Sequence, residues 1–533
     1  MPDWCILLSF VAYLALMLGI GFLFSRRQED LGDYYLGGRQ MNKWVVALSA
    51  QASDMSGWLL MGLPGAVFVG GLSEAWIGVG LLVGTYLNWR IVARRLRVYS
   101  HVCNDSITIP DFVCNRFRDS TGLSRSVAAI IILVFFTFYT ASGFVSCAKL
   151  FTSTFGVSYS LCLWIGAAVV VSYTLLGGYM AVCWTDFIQG SLMFLAIVLV
   201  PALVICGAGG VGSTVDGLNA INPRLLSIFT NASTSQMVGA VGLASCMSWG
   251  LGYFGMPHIL VRFMSIDDPS SVKGSRRIAM LWVTVSLVAA VLIGLVFHLY
   301  LRERNLTLAD VGGDPEKVFM VMILGLFKDG FLMRLFAGVL LSAIMAAIMS
   351  TADSQLLVSA SSFSNDLYRF CFRRNASDRE LILVSRLAVA LISLIAVAMA
   401  MNTQGEFFKV VMKMVAFAWA GFGAAFGPLI LLSLFWRRTN LAGAVSGMVV
   451  GAVTCFLWKF VLADYASAYA IFGLYELAPG FVLAFLTTVV VSLLTKRPSA
   501  DVLAEFDSVV VIPTDEFQGK CYHLRRERKG DAS

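Results

Sequence analysis

Charge is what this sequence lacks most. Asp, Glu, Lys and Arg make up 13% of its 533 residues, against roughly 25% in soluble domains. Apolar residues reach 58%, and mean hydropathy is +0.80. So few polar groups cannot cover the outside of a folded chain, so that outside must face lipid. A soluble protein with an outsized core is excluded as well, because apolar runs of about 20 residues recur along the whole length.

Three further absences narrow the function. The 11 cysteines are scattered, mostly inside apolar runs, with no CxxC or Cys/His cluster. That excludes a disulfide framework and a zinc site and leaves most of them as small core residues. No basic segment precedes the first apolar run, 5–24, which therefore reads as a span and not as a cleavable leader. Long polar stretches are also missing. The largest, after Thr495, is under about 40 residues and too short to fold a substantial core alone. An enzyme or sensor kinase on a membrane tether is thereby disfavoured. The net charge of +7 implies no nucleic acid, since the basic residues sit between apolar runs, and no obligatory protein partner is indicated.

What is present is a series of about thirteen apolar spans. They run over 5–24, 44–70, 74–92, 126–155, 159–178, 187–209, 237–256, 278–301, 331–365, 382–401, 409–436, 442–462 and 472–495. This makes an all-α, polytopic membrane protein, with a transmembrane domain over 1–495 and a tail over 496–533. Basic residues assign the sides. Odd-numbered connections carry Arg26, Arg27, Arg39 and Lys43, then Arg94, Arg95, Arg97, Arg116, Arg118 and Arg125. Later ones carry Arg262, Lys273, Arg276 and Arg277, then Arg369, Arg373, Arg374 and Arg379, then Arg437 and Arg438, and the tail begins Lys496-Arg497. Even-numbered connections such as 71–74, 156–159 and 402–408 have none. The connection 302–330 departs from the pattern with Arg302, Arg304, Lys317 and Lys328, but it is long and also acidic. The positive-inside rule then puts the N-terminus outside and the tail in the cytoplasm of a cell that carries this chain in its plasma membrane.

Polar residues inside these spans point to a site. The second span reads ALSAQASDMSGW from Ala47 and reaches Pro64-Gly65. Ser49, Ser53 and Ser56 share a helix face, and Asp54 lies beside them. A carboxylate at bilayer depth costs about 2.5–3.5 kcal/mol on insertion scales. Ser56-Gly57 and Pro64-Gly65 are natural interruptions, and a broken span frees carbonyls that must line a cavity or face protein. Hydroxyls and carbonyls together suit a small, hard cation. A kinked packing helix with Asp54 capping the break is the competing account. The seventh span ends WGLGYFGMPH from Trp249, which cannot hold a regular helix because each Gly costs about 1 kcal/mol against Ala. Two broken spans five apart are what a five-plus-five inverted repeat requires. Trp249 and Tyr253 would form an aromatic wall if the helix held there; glycine-mediated helix packing is the alternative. His258 reads as structural. In the ninth span, AIMSTADS from Ala347 puts Ser350 and Ser354 on one face with Thr351 and Asp353 close by. Asp353 is a functional hypothesis by its depth alone. Asp186 fits an N-cap of the sixth span, a group behind an ion's ligands, or both.

These residues resemble the sodium/solute symporter family, and within it the sodium/proline symporters. The resemblance lies in ALSAQASDMSGWLLMGLPGAVF over 47–68, WGLGYFGMPHILVRFM over 249–264, MSTADSQLL from Met349, and WAGFGAAFGP ending at Pro428. It extends over essentially the whole chain. It implies a LeuT-type core of two inverted repeats, here about 44–209 and 237–436, and transport by alternating access. It implies a co-transported sodium ion held by the carbonyls of Ala52, Met55 and Ala347 and the hydroxyls of Ser350 and Thr351. Asp54, Ser56 and Asp186 match positions tied to ion coupling, and Tyr139, Trp249, Tyr253 and Pro257 match the proline pocket. Met256 stands where glutamine is expected, and Gln51 replaces a small residue. Asp353 is not required by the family. It suits an added cation or proton site, or satisfaction within the bundle. The competing classes are a symporter of another small amino acid or organic solute, coupled to sodium or protons, a non-transporting sensor, and a passive channel.

Overall fold

The computed structural model describes residues 3–25, 31–176, 178–402 and 405–511. Arg26 and Arg27, and the tail beyond residue 511, lie outside the described residues. Among those described, ordered secondary structure is helical, with two isolated bridges, Met41 to Ile266 and Thr230 to Met237. Ten helical segments are long and apolar enough to cross a membrane, against about thirteen expected. The difference lies in three places. Trp58–Val102 is one 45-residue segment by length, but Gly71, at φ 76°, turns the chain within it. Tyr159–Leu175 is apolar but falls just short of the length needed to cross. The seventh span is divided into short pieces.

The outward faces follow the lipid argument. On the tenth span, Asp378–Ala400, Leu383, Leu387, Leu391 and Leu394 are each more than half exposed. Their spacing of four, four and three puts them on one stripe. In water such a stripe would be a large apolar patch; against acyl chains it costs nothing.

The two expected breaks are present, with altered limits. In the second span, Lys43–Asp54 is a helix capped by Asn42, whose Oδ1 accepts from the amides of Trp44 at 3.0 Å and Val45 at 3.1 Å. It stops at Met55, with φ −85° and ψ 76°, one residue before the serine expected to break it. A π-helical turn over Trp58–Gly62 and the helix Leu63–Gly70 follow. The seventh span is Ala240–Ser248, a tight 3-10 stretch over Trp249–Phe254, and a second helix, Pro257–Ser265. It therefore extends well past the expected limit of 256, and Arg262, assigned above to a connection, belongs inside the bundle. Close packing explains the glycines. A Cβ on Gly250 would run into the Gly80 carbonyl, and one on Gly252 into the indole of Trp419.

The first half of the second span packs against the sixth, eighth and ninth spans and the second half of the seventh. The elements that carry Ala52, Asp186, Ala347 and Pro257 thus meet at one place. The charged connection 302–330 also has a structural reason. Glu316 accepts from Lys149 Nζ at 2.6 Å and from the amides of Val411 and Met412 at 3.1 and 3.0 Å. It caps the start of the eleventh span, Val411–Phe435.

Candidate ion and substrate site

The expected ion ligands come from two elements far apart in sequence. The Ser350 hydroxyl donates to the Ala52 carbonyl at 2.8 Å and lies 3.3 Å from the Ala347 carbonyl. Ser350 and Thr351 are buried, and Thr351 Oγ1 has no hydrogen-bond partner. A buried orphan hydroxyl costs about 1–3 kcal/mol. Met55 stands at the break, where the helix no longer continues. Converging neutral oxygens of this kind suit a hard monovalent cation, because no fixed charge there would hold a divalent one tightly. Selectivity would rest on the size of the cage.

Asp54 stands beside this group and faces the other way. Its Oδ2 accepts from the Tyr253 hydroxyl at 2.6 Å, and its Oδ1 has no partner. The Asp54 carbonyl accepts from Trp58 Nε1 at 3.0 Å. Ser56 Oγ is 3.4 Å from the Trp58 amide and caps the π-turn weakly. Asn88 Nδ2 holds the Tyr253 carbonyl at 2.9 Å, and the Trp419 ring meets Tyr253 edge-on with centroids 4.9 Å apart. Tyr139 is buried with its ring 6.5 Å from that of His258. Pro257 opens the second half of the seventh span, where a missing amide proton costs nothing.

Trp249 and Tyr253 do not form one wall, because the helix does not hold between them. Trp249 stacks on Tyr475 at 5.0 Å, while Tyr253 turns to Asp54. Trp419 joins the two by donating from Nε1 to the Trp249 carbonyl at 2.8 Å. Trp419 and Tyr475 were not singled out as site residues. Trp419 starts the WAGFGAAFGP motif and could have been found there. Tyr475 has no local signal, since only the folded chain brings the thirteenth span to the seventh.

Next to the expected ion ligands lies a buried charge cluster. Asp186 Oδ2 accepts from Ser49 Oγ at 2.7 Å and from Arg262 Nη2 at 3.1 Å. Asp186 sits well inside the helix Tyr179–Gly207, whose N-cap is Gly178, so the N-cap reading of Asp186 is corrected. Arg262 uses the rest of its guanidinium on Ser49 at 3.2 Å, the His258 carbonyl at 2.9 Å and Ser354 Oγ. Its face lies over the Tyr179 ring, 5.4 Å from the centroid. Ser354 donates to the Ser350 carbonyl at 2.8 Å, which ties the cluster to the Ala52–Ser350 oxygen group. Asp353 is buried with Oδ1 3.3 Å from Ser354 Oγ and Oδ2 without a partner. Ser354 Oγ thus links Asp353 to Arg262, so a second buried carboxylate lies near the guanidinium that pairs with Asp186. His258 is fully buried, its ring 5.6 Å from that of Phe136, in keeping with a structural role.

Comparison with known proteins follows the same lines. The family model for the sodium:solute symporter family matches residues 34–451. The chain is 48% identical over 492 residues to the high-affinity proline transporter PutP of Bacillus subtilis (strain 168), covering 92% of this chain and 98% of that one. It is 44% identical over 500 residues to the sodium/proline symporter of Escherichia coli (strain K12), covering 94% and 95%. A solved structure of a Na+-coupled sialic acid symporter in a substrate-bound, outward-open state superposes with a TM-score of 0.75 at 18% identity, covering 93% of this chain and 99% of that one. That likeness concerns the fold alone, and the fold is the LeuT-type sodium-symporter fold. The chain belongs to the sodium:solute symporter family.

Proposed function

We propose that the chain imports L-proline together with sodium by alternating access. One observation carries this reading. Asp54 bridges the two halves of the site, its backbone adjoining the Ala52–Ser350 oxygen group and its carboxylate bonded to Tyr253 at the break of the seventh span. Ala52, Met55, Ala347, Ser350 and Thr351 hold the sodium ion. Its arrival orders the break at Met55 and fixes Asp54, which sets the Tyr253 ring. Tyr139, Trp249, Tyr253 and Pro257 line the substrate pocket, with Trp419 and Tyr475 supporting them. Proline suits such a pocket. Its ring offers apolar CH faces to aromatics, and its carboxylate suits the amides at the start of the helix Pro257–Ser265. Asp186 and Arg262 steady Ser49 and Ser354 behind the ion, and Asp353 takes part in coupling. The names of the relatives support proline and sodium as cargo.

The basic connections support an N-terminus outside and a C-terminal segment in the cytoplasm. The sodium gradient then drives import, with about 2.3 kcal/mol per charge from each 100 mV of membrane potential.

Met256, fully buried where the second half of the seventh span begins, favours a second reading in which the cargo is another small amino acid. A competition panel decides between them. Unlabelled proline should suppress sodium-driven uptake of labelled proline into proteoliposomes better than any other amino acid. A stronger competitor would replace proline as the cargo.

A further inference from the structure

We propose that a cation-lined cavity at one end of the twelfth and thirteenth spans binds the phosphate headgroup of an anionic phospholipid. The cavity has a volume of about 590 Å³ and is lined by Arg118, Lys496 and Arg497 together with Phe117, Leu441 and Val502. It is separate from the ion and substrate site, and none of its residues serves that site.

The backbone beneath the cations is fixed. Asn440 Oδ1 accepts from the Gly443 amide at 2.9 Å, and Nδ2 donates to Thr495 Oγ1 and to the Lys496 carbonyl, both at 2.7 Å. Arg438 Nη2 donates to the Thr495 carbonyl at 2.8 Å. Arg438 and Asn440 therefore spend their polar groups on holding the segment after the thirteenth span. Lys496 and Arg497 are exposed above it.

Charge bookkeeping leaves those two cations over. Glu505 is 2.5 Å from Arg118, and Asp507 is 2.6 Å from Arg437. Among the described residues no carboxylate lies within salt-bridge distance of Lys496 or Arg497. An anion entering the cavity therefore meets two cations that no carboxylate among the described residues neutralises.

Depth identifies the anion. Leu493 and Leu494, just before the cations, are 57% and 80% exposed on the thirteenth span, Leu477–Leu494. They face acyl chains, so Lys496 and Arg497 stand where hydrocarbon gives way to headgroups. Basic pockets between spans at this depth suit lipid phosphates. The cavity is also roomier than a bare phosphate requires. Its lining includes Phe117, Leu441 and Val502, which offer apolar contact to a glycerol backbone and the start of an acyl chain, contact that free phosphate cannot use. The proposal is independent of which cargo the transporter carries.

The test uses the full-length protein purified in neutral detergent. Phosphatidylglycerol, phosphatidylcholine and inorganic phosphate are titrated in separate arms, and bound molecules are counted by native mass spectrometry. Preferential retention of phosphatidylglycerol is expected. The double variant Lys496→Ala, Arg497→Ala should weaken retention roughly 25-fold, each cation near an anionic lipid counting for about fivefold. The charge-keeping variant Lys496→Arg should retain the lipid. Both positions are exposed, and an unchanged melting temperature verifies that the variants fold. Equal retention by the double variant, or equal retention of phosphatidylcholine, would overturn the proposal. Inorganic phosphate displacing the lipid at equal concentration would overturn the lipid assignment.

Discussion

At the scale of single residues, the account rests on oxygen atoms that only the fold brings together. Asp54 is the clearest. A hydrogen bond to a charged group is worth about 1.5–3 kcal/mol. Asp54→Ala should therefore raise the sodium concentration for half-maximal uptake by roughly 10- to 100-fold. An unchanged value would remove Asp54 from coupling. Arg262 is a structural counterpart. Its loss leaves Asp186 and Asp353 buried without a cation, and breaking a buried pair costs about 3–5 kcal/mol. Arg262→Gln should lower the melting temperature by several degrees, and adding Asp353→Asn should recover part of the loss. A third case lies outside the spans. Burial pushes the Asp105 carboxyl up, but the hydrogen bond with His101 and the charge of Arg39, 2.9 Å away, outweigh it and hold the group well below the usual carboxylate range. A depressed folded-state value contributes stability above the unfolded value, about 3.9, and that contribution fades as pH falls below it. Melting temperature should drop between about pH 4 and pH 2 in the parent and less in Asp105→Asn. Parallel acid profiles would contradict the sign. Ser350 and Thr351 were legible as candidates because hydroxyls inside apolar runs stand out, while the carbonyls of Ala52 and Ala347 came only with the family resemblance. Arg262 was not. An arginine between an apolar run and a polar turn reads as a loop cation, and its partner Asp186 is 76 positions away.

At the scale of elements, the breaks were legible and their mechanics were not. Glycine and proline density marked the seventh span, yet the apolar run suggested that it stops at 256. It continues because Arg262 is neutralised by Asp186 and its polar groups are taken up inside the bundle. The second span breaks at Met55 before the serine, and the π-turn after it has no signature in the residues themselves. Close approach accounts for the glycines better than flexibility does. Gly252→Ala would drive a Cβ into Trp419, which holds Trp249 and packs on Tyr253. Overpacking of this sort costs about 1–3 kcal/mol. The variant should lose affinity for the transported solute more than it loses sodium affinity, as read from separate titrations of uptake. Equal losses in both would point to general misfolding.

At the scale of the whole molecule, composition alone fixed the membrane, and the lipid-facing leucines of the tenth span bear that out. Span counting was less secure, because breaks and turns divide some apolar runs and join others. The basic connections gave sidedness as an expectation, while Arg97, Arg116 and Arg262 are buried and belong to packing as well as to topology. The central claim is that sodium and solute share one linked site through Asp54 and Tyr253. Linkage of this kind is reciprocal and commonly worth about 1–3 kcal/mol. Equilibrium binding of labelled proline to the purified protein measures it most directly. Replacing choline with sodium should tighten proline binding by roughly 5- to 150-fold, and Asp54→Ala should abolish the difference. Equal proline affinity in sodium and in choline would contradict the account.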